Sequence, residues 1–391
     1  MNISNTFFCF IIAGMISFVA LTIDTMLPAY GEIKVYYDVE DAQLHWIITS
    51  LFIGFSFGQI IFGPLSDRLG RQKTIFIGVS IYLLGCIICF ASSSYTFFVI
   101  GRLIQGLGIG APRVVSQAIC RDLFAGNKLA SINSFIMSIF ILVPIIAPLV
   151  GQTIMIILSW KSIIVFFIVF SLTTTLLLKI FIAETLPQKI DFNIITILAS
   201  FKTVIKNTKS LLYIISLGTL LGGLLTFINI CQPLYQDFFN LGLYFPLFFA
   251  AIASMLGLSS FLNSNLVLKY GAVKISLFFS TIFMIWCIVN FLFNLSLVKE
   301  ELLWFSIFIM VNFFLFGFIF GNLNALALDP FGHMAGNASS VIGALSTILA
   351  VTISSLATSS FDGTPEIIVY IISICSITTF IILSIAFFKK T

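Results

Sequence analysis

The stretch GPLSDRLGRQK spans residues 63–73 and holds Asp67, Arg68, Arg71 and Lys73. The 391-residue chain around it is 60% hydrophobic and only 9% charged, with 45 phenylalanines and a mean hydropathy of +1.16. Soluble domains are about half apolar and about a quarter charged. A charge cluster in so apolar a chain reads as a loop between two membrane spans. The runs that flank it, and those that recur to the end of the chain, are near the roughly 20 residues that cross a bilayer as a helix. They do not alternate apolar and polar residues, as barrel strands do, so helices are expected.

Twelve spans are expected. The first six lie near 6–28, 44–64, 74–92, 95–119, 130–155 and 160–182, and the second six near 211–232, 244–263, 273–294, 303–327, 335–358 and 366–388. The remainder is short loop, with no room for a soluble catalytic domain. The first run lacks a basic leader region and carries Asp24 and Pro28 where a secretory signal needs small residues, so it reads as a span.

Loop charge orients these spans. If odd-numbered loops share one side, that side holds only Lys34, Lys161 and Lys299. Arg102 and Arg113 fall within a span, and the other fourteen of the nineteen basic residues lie on the side of the termini. Basic loops stay cytoplasmic, so both termini and loop 63–73 are expected inside. The net charge of +4 is then a topology signal, and no nucleic-acid partner is expected.

The longest loop, 184–210, lies near mid-chain. Ile194, Ile197, Leu198, Phe201, Val204 and Ile205 recur in it at helical spacing, with Lys202, Lys206 and Lys209 mainly on another face. An amphipathic surface helix is expected there, joining a half at 1–183 to a half at 211–391. The halves echo each other. Adding 201 takes Arg68 to Lys269, Gly70 to Gly271 and Lys73 to Lys274, while Asp67 falls on Leu268. Gly106 and Gly110 form a GxxxG pattern in span 4, and Gly317 and Gly321 form one in span 10. Such glycines let helices approach closely. GLGIG at 106–110 follows no strand, so a nucleotide loop is not expected. Cys86 and Cys89 form a CxxC, but with no second pair or histidine nearby they read as buried hydrophobes. No metal or cofactor is expected. No nucleophile–base constellation appears, so the chain does not read as an enzyme.

An ionisable residue inside a span is a functional candidate, and three stand out: Asp24, Arg102 and Arg113. Asp24 is the only acid well inside a span. It lies about one turn from the outer end of span 1, and Arg102 lies one to two turns into span 4 from the same side, so the two can meet. Two readings are open: a proton-exchanging carboxylate with its arginine, or a static buried ion pair. Arg113 follows Arg102 by eleven residues, which returns it to the same helix face about 16 Å further along. It either pairs with helix carbonyls or faces a cavity and attracts an anionic group. Asn229, Gln232, Asn322 and Asn324 are candidate polar lining residues of the second half, or inter-helix hydrogen-bonding groups.

GPLSDRLGRQK resembles the signature of the major facilitator superfamily between spans 2 and 3. GRLIQGLGIG (101–110) is similar to its span 4 signature. APLVGQ (147–152) resembles its antiporter motif, with Ala147 and Gln152 in place of glycines. TIDTMLPAY (22–30), SQAICRDLF (116–124), SWKS (159–162), AETLP (183–187) and NALALDPFGHMAGNASSVIGAL (324–345) resemble the Bcr/CflA-type drug-resistance branch. The resemblance implies two pseudo-symmetric six-helix halves and proton-coupled drug efflux by alternating access, with the substrate near the midplane. It implies a multi-pass monomer in a bacterial inner membrane, whose partners are a small-molecule substrate, protons and lipids. It further implies a gate at Gly63, Asp67, Arg68, Gly70 and Arg71, against the plainer reading that these charges only set topology. Pro144, Pro148 and Gly151 carry the antiporter motif. At Arg113 the family pattern has a small residue. Uptake or secretion of an anionic metabolite, such as a carboxylate siderophore, is the alternative within the fold. A non-transporting receptor or scaffold is the alternative outside it, and would be marked by a lost Asp24 or a large added domain.

Overall fold

Proline and glycine punctuate the first spans. The computed structural model describes residues 4–186, 194–293 and 301–388. Lys189, Lys299, Lys389 and Lys390, which entered the loop-charge reading, lie outside these residues, as does the middle of AETLP's following loop. Among the described residues there are helices and no strands. The first span is interrupted: α1 (Asn5–Ile16), α2 (Phe18–Asp24) and α3 (Tyr30–Tyr37), with a short 3-10 turn at Leu27–Ala29 and a bend of 52° after Ile16. A one-turn helix, α4 (Asp41–Leu44), leads into α5 (Trp46–Leu69), α6 (Arg71–Ala91), α7 (Tyr95–Leu123), α8 (Gly126–Ile157) and α9 (Trp160–Phe181). Then come α10 (Ile194–Lys206), α11 (Thr208–Gln232), α12 (Phe245–Tyr270), α13 (Ala272–Phe293), α14 (Leu302–Leu328), α15 (Ala335–Thr358) and α16 (Glu366–Phe388).

Eleven of these helices are long and apolar enough to cross a membrane, and the bent α1–α3 segment makes a twelfth. The protein is therefore a multi-pass membrane protein. Its surface agrees: Ile157, Leu303, Phe261 and Leu356 are each more than 60% exposed, apolar area that lipid covers and water would not. The expected single helix over 6–28 is the main difference. Ser17 returns its hydroxyl to the Ala13 carbonyl (2.6 Å) at the first break, and Pro28 marks the second.

The chain divides into two compact units, Met1–Val39 with Trp46–Ser200, and Glu40–His45 with Phe201–Thr391. The boundary falls inside α10. Val204 of that helix is buried and Lys202 and Lys206 are exposed, as an amphipathic surface helix requires.

Within the first unit α7 packs along both α5 and α6, and glycines set the spacing. A Cβ on Gly106 would stand 1.9 Å from the Leu51 carbonyl oxygen, and one on Gly110 would stand 2.5 Å from the Gly58 carbonyl carbon. The GxxxG of span 4 is thus a backbone-to-backbone contact between α7 and α5. In the second unit α11 packs on α15 and α16, and α12 on α14. There a Cβ on Gly317 would meet the Ser259 hydroxyl at 1.8 Å, but Gly321 has nothing within 4 Å. The second GxxxG is a contact at one end only. Phenylalanines also pack between its helices: Phe227 meets Phe313 edge-on at 5.1 Å, and Phe279 stacks on Phe318 at 3.8 Å.

These two glycine pairs give a paired test. Gly106→Ala forces α5 and α7 apart and is expected to cost about 1–3 kcal/mol or more, read as a lower melting temperature in detergent. Gly321→Ala adds a methyl to open space and removes a flexible helix residue, so it is expected to leave stability unchanged or raise it by up to about 1 kcal/mol.

Candidate functional site

The interruption of the first span creates the site around Asp24. Pro28 has no N–H, so the carbonyl of Asp24, four residues earlier, loses its helical donor. Met26 turns its N–H to the Ile23 carbonyl instead (3.1 Å), which releases the Thr22 carbonyl as well. The Asp24 side chain is 4% exposed, and among the described residues it makes no hydrogen bond and no ion pair. The neighbouring Thr25 hydroxyl is buried without a partner. Gly151 of α8 closes one side, because a Cβ there would stand 2.0 Å from the Thr25 carbonyl oxygen. Helix α8 runs unbroken through Pro144 and Pro148. Gly151 is thereby the residue that lets α8 lie directly against the broken turn, and the Gln152 side-chain oxygen beside it is buried without a partner.

Arg102 is fully buried, but it does not pair with Asp24. Its Nε donates to the Ile47 carbonyl (3.1 Å), Nη1 to Gln105 Oε1 (2.9 Å) and Nη2 to the Thr22 carbonyl (3.2 Å). Arg102 reaches the backbone two residues before Asp24. The ion pair fails because the broken helix offers the guanidinium a freed carbonyl two residues before the carboxylate. Arg102 therefore ties α2, α5 and α7 together and leaves Asp24 unneutralised.

Arg113 differs from Arg102 in every contact. Its guanidinium lies over the Phe140 ring of α8, 5.6 Å from the centroid, and its Nη1 is buried with no hydrogen-bond partner. Pairing with helix carbonyls, one of the two sequence expectations, is not what the structure contains.

The loop of GPLSDRLGRQK is a charge network within the first unit. Gly63 lies inside α5, where its carbonyl accepts from the Ser66 hydroxyl (2.8 Å), so the sharp turn is at Gly70 alone, with φ 103°. Arg71 Nη1 meets Asp67 Oδ1 (2.6 Å) and the Ser66 hydroxyl (2.7 Å), while its Nε and Nη2 reach both oxygens of Asp122 on α7 (2.8 and 3.3 Å). Arg68 is exposed. Asp67 pairs with Arg71 and, among the described residues, caps no helix. The N-terminus of α6 is met by Glu184, just after α9: it accepts from the backbone N–H of Arg71 (2.9 Å) and Gln72 (3.2 Å) at the start of α6, and of Thr185 (3.0 Å) and Leu186 (3.1 Å). The N-cap position is Gly70, which has no side chain to cap with, and a Cβ there would stand 2.6 Å from Glu184 Oε2. Thr185 completes the ring by donating to Asp122 (3.1 Å). Sequence reasoning missed Asp122 and Glu184, although both lie in the quoted SQAICRDLF and AETLP.

In the second unit, Asn322 and Asn263 exchange amide hydrogen bonds (3.1 and 3.2 Å) between α14 and α12. Asn229 donates to Ser354 of α15 (2.8 Å), and Gln232 donates to Gln236 (2.5 Å), each keeping a buried oxygen without a partner. Asn324 is exposed. Asn322 is thus an inter-helix tie, while Asn229 and Gln232 retain free acceptors. All seven cysteines are buried and none forms a disulfide, and Cys86 accepts from Gln105 (3.1 Å). Among the described residues no cluster of metal-ligating side chains occurs.

Comparison with known proteins adds the following. The sequence model of the Major Facilitator Superfamily matches residues 6–355. The bicyclomycin resistance protein homolog of Haemophilus influenzae is 29% identical over 385 residues, covering 96% of this chain and 95% of that protein. The uncharacterized MFS-type transporter YdgK of Bacillus subtilis is 26% identical over 385 residues, covering 97% and 94%. Among solved structures, the partially occluded inward-open xylose transporter XylE of E. coli is similar in fold, with a TM-score of 0.73, 13% identity and coverage of 99% and 100%.

The Glu184 cap carries a pH signature. Burial raises its carboxyl pKa, but the four backbone donors outweigh that and hold it below the usual glutamate value. Folding therefore favours the charged form. Its stabilisation is complete above the ordinary carboxylate range and is lost as pH falls through the depressed value. Glu184→Gln is expected to lower the melting temperature at neutral pH, and the gap to wild type should close as the pH falls below about 4.3, the value of an unperturbed glutamate.

Proposed function

Because the chain belongs to the Major Facilitator Superfamily, a family of membrane transporters, we propose that it exports small organic compounds or drugs across a bacterial inner membrane in exchange for protons. The observation that carries this reading is Asp24: an acidic residue 4% exposed, at a broken turn in a span, with no group among the described residues to neutralise it. A charge so placed is expensive, and it is tolerated where the group exchanges a proton. Arg102 positions that turn through the Thr22 carbonyl. A rearrangement that withdraws Arg102 from the carbonyl, or brings the guanidinium to the carboxylate, changes the proton affinity of Asp24 and so couples the proton to the conformational cycle. The relative named for bicyclomycin resistance supports a drug-like substrate and outward transport.

The network of Asp67, Arg71, Asp122 and Glu184 acts in this reading as the latch of alternating access. It sits on the proposed cytoplasmic side, since the loop-charge bias places both termini there. A latch must be strong enough to hold one state and local enough to break, and one arginine shared by two carboxylates provides this.

Two measurements test these roles. Asp24→Asn, purified and reconstituted, is expected to keep its fold while its gradient-driven transport falls to the background of empty vesicles. Wild-type accumulation by that variant would exclude Asp24 as the proton carrier. Asp67→Asn is expected to slow turnover with substrate affinity within about twofold of wild type, since a binding change of that size is only about 0.4 kcal/mol. A large loss of affinity at full turnover would contradict the latch.

A further inference from the structure

Helix α7 contains two arginines eleven residues apart, and the protein treats them oppositely. Arg102 has an acceptor for each of its three nitrogens. Arg113 has none among the described residues, and no acidic side chain acts on it. Its flat face is covered by Phe140, which leaves the edge, where the N–H groups point, without a partner. A guanidinium in a low-dielectric setting with empty donors costs far more than one that is paired.

Two more empty donors lie on the same pair of helices, α5 and α7. Gly110 brings α7 against α5 at Gly58 and Gln59: a Cβ on Gly110 would stand 2.9 Å from the Gln59 backbone nitrogen. The Gln59 side-chain amide nitrogen is buried without a partner, and so is the hydroxyl of Ser116. Arg113 and Ser116 follow Gly110 on α7 by about one and two helical turns. An amide N–H, a guanidinium N–H and a hydroxyl are all donors, and the described residues supply no acceptor to any of them. The group that would satisfy them is an oxyanion, which is acceptor-only and charged. Phe140 adds an aromatic surface beside it.

We propose that Arg113, with Gln59 and Ser116, forms an anion subsite in the first unit that takes the carboxylate or sulfonate of an aromatic organic acid, and that this chain's cargo carries such a group. The proposal rests on the exporter reading only in calling the ligand cargo. Binding at equilibrium needs no gradient, so a failed anion preference leaves the role of Asp24 standing, and a failed Asp24 variant leaves the subsite standing.

The test uses the full-length protein purified in detergent and equilibrium dialysis of three probes with one skeleton: 2-naphthalenesulfonate, 2-naphthyltrimethylammonium and the neutral methyl 2-naphthyl sulfone. Wild type is expected to prefer the sulfonate to the ammonium by about tenfold or more, as a charge-assisted hydrogen bond allows. Arg113→Met should remove that preference without weakening the sulfone, and Arg113→Lys should retain part of it. Because no acceptor among the described residues depends on Arg113, and a methionine can still pack on Phe140, Arg113→Met should melt at or above the wild-type temperature, whereas the sulfonate should raise the melting temperature of wild type alone. Gln59→Leu, which leaves the charge in place, should weaken the sulfonate selectively and by less. Absence of any anion preference in wild type, an unchanged preference in Arg113→Met, or a fall in its melting temperature would each overturn the subsite. The last would show Arg113 to be structural.

Discussion

A guanidinium removed from water must find acceptors, and Arg102 finds them at the point where three helices meet. One is a side-chain amide on its own helix, one is the first turn of α5, and one is the Thr22 carbonyl of the interrupted first span. The third is available only because the helix is broken there, with Pro28 lacking an N–H and Met26 bonding to Ile23. The break and the arginine thus stabilise each other. Removing either leaves unpaired polar groups in a buried site, which is costly. Asp24, two residues beyond the clamped carbonyl, is held in place by this arrangement without being neutralised by it. The close backbone contacts at Gly106 and Gly151 have the same consequence, because they fix α5 and α8 against the elements that carry the clamp and the carboxylate.

The two ends of the first unit are built differently. Around the α5–α6 loop the structure concentrates charge: one arginine shared by two aspartates, and a glutamate capping a helix whose own cap position is glycine. At the opposite end, aromatic groups gather. Lys161 lies over Tyr36 and Trp160, and Tyr37 packs against Tyr95, Phe98 and Trp160. Such amphipathic rings suit a membrane interface. Ionic contacts between part-buried groups are discrete, so they suit a switching element. Aromatic packing is spread over many contacts and suits an anchor.

Much of this was legible in the sequence, for reasons that can be named. Span number follows from apolar length, and only the first span misled, because hydropathy does not register a break whose residues remain apolar. Pro28 was visible, but not that the Met26 N–H would turn to Ile23 and leave the Thr22 carbonyl to Arg102. Gly106 and Gly110 read correctly as packing residues. Of the equivalent pair, Gly317 packs and Gly321 does not, since spacing alone does not say what stands opposite a glycine. Asp122 and Glu184 were overlooked because each is distant in sequence from the loop it serves, and only the fold brings α7 and the end of α9 to the start of α6. For Arg113, helix geometry gave its face and its separation from Arg102. What it lacks could be known only from its surroundings.

The central claim is that Asp24 is an unpaired, proton-exchanging carboxylate held beside the Arg102 clamp. Infrared difference spectroscopy of the purified protein, stepped in pH, tests this most directly, since a protonated carboxyl has its own C=O stretch. The account predicts a carboxyl band that appears and vanishes reversibly with pH in wild type, is missing in Asp24→Asn, and shifts its midpoint in Arg102→Lys. A titrating band that is identical in Asp24→Asn, or no titrating carboxyl assignable to Asp24, would contradict it.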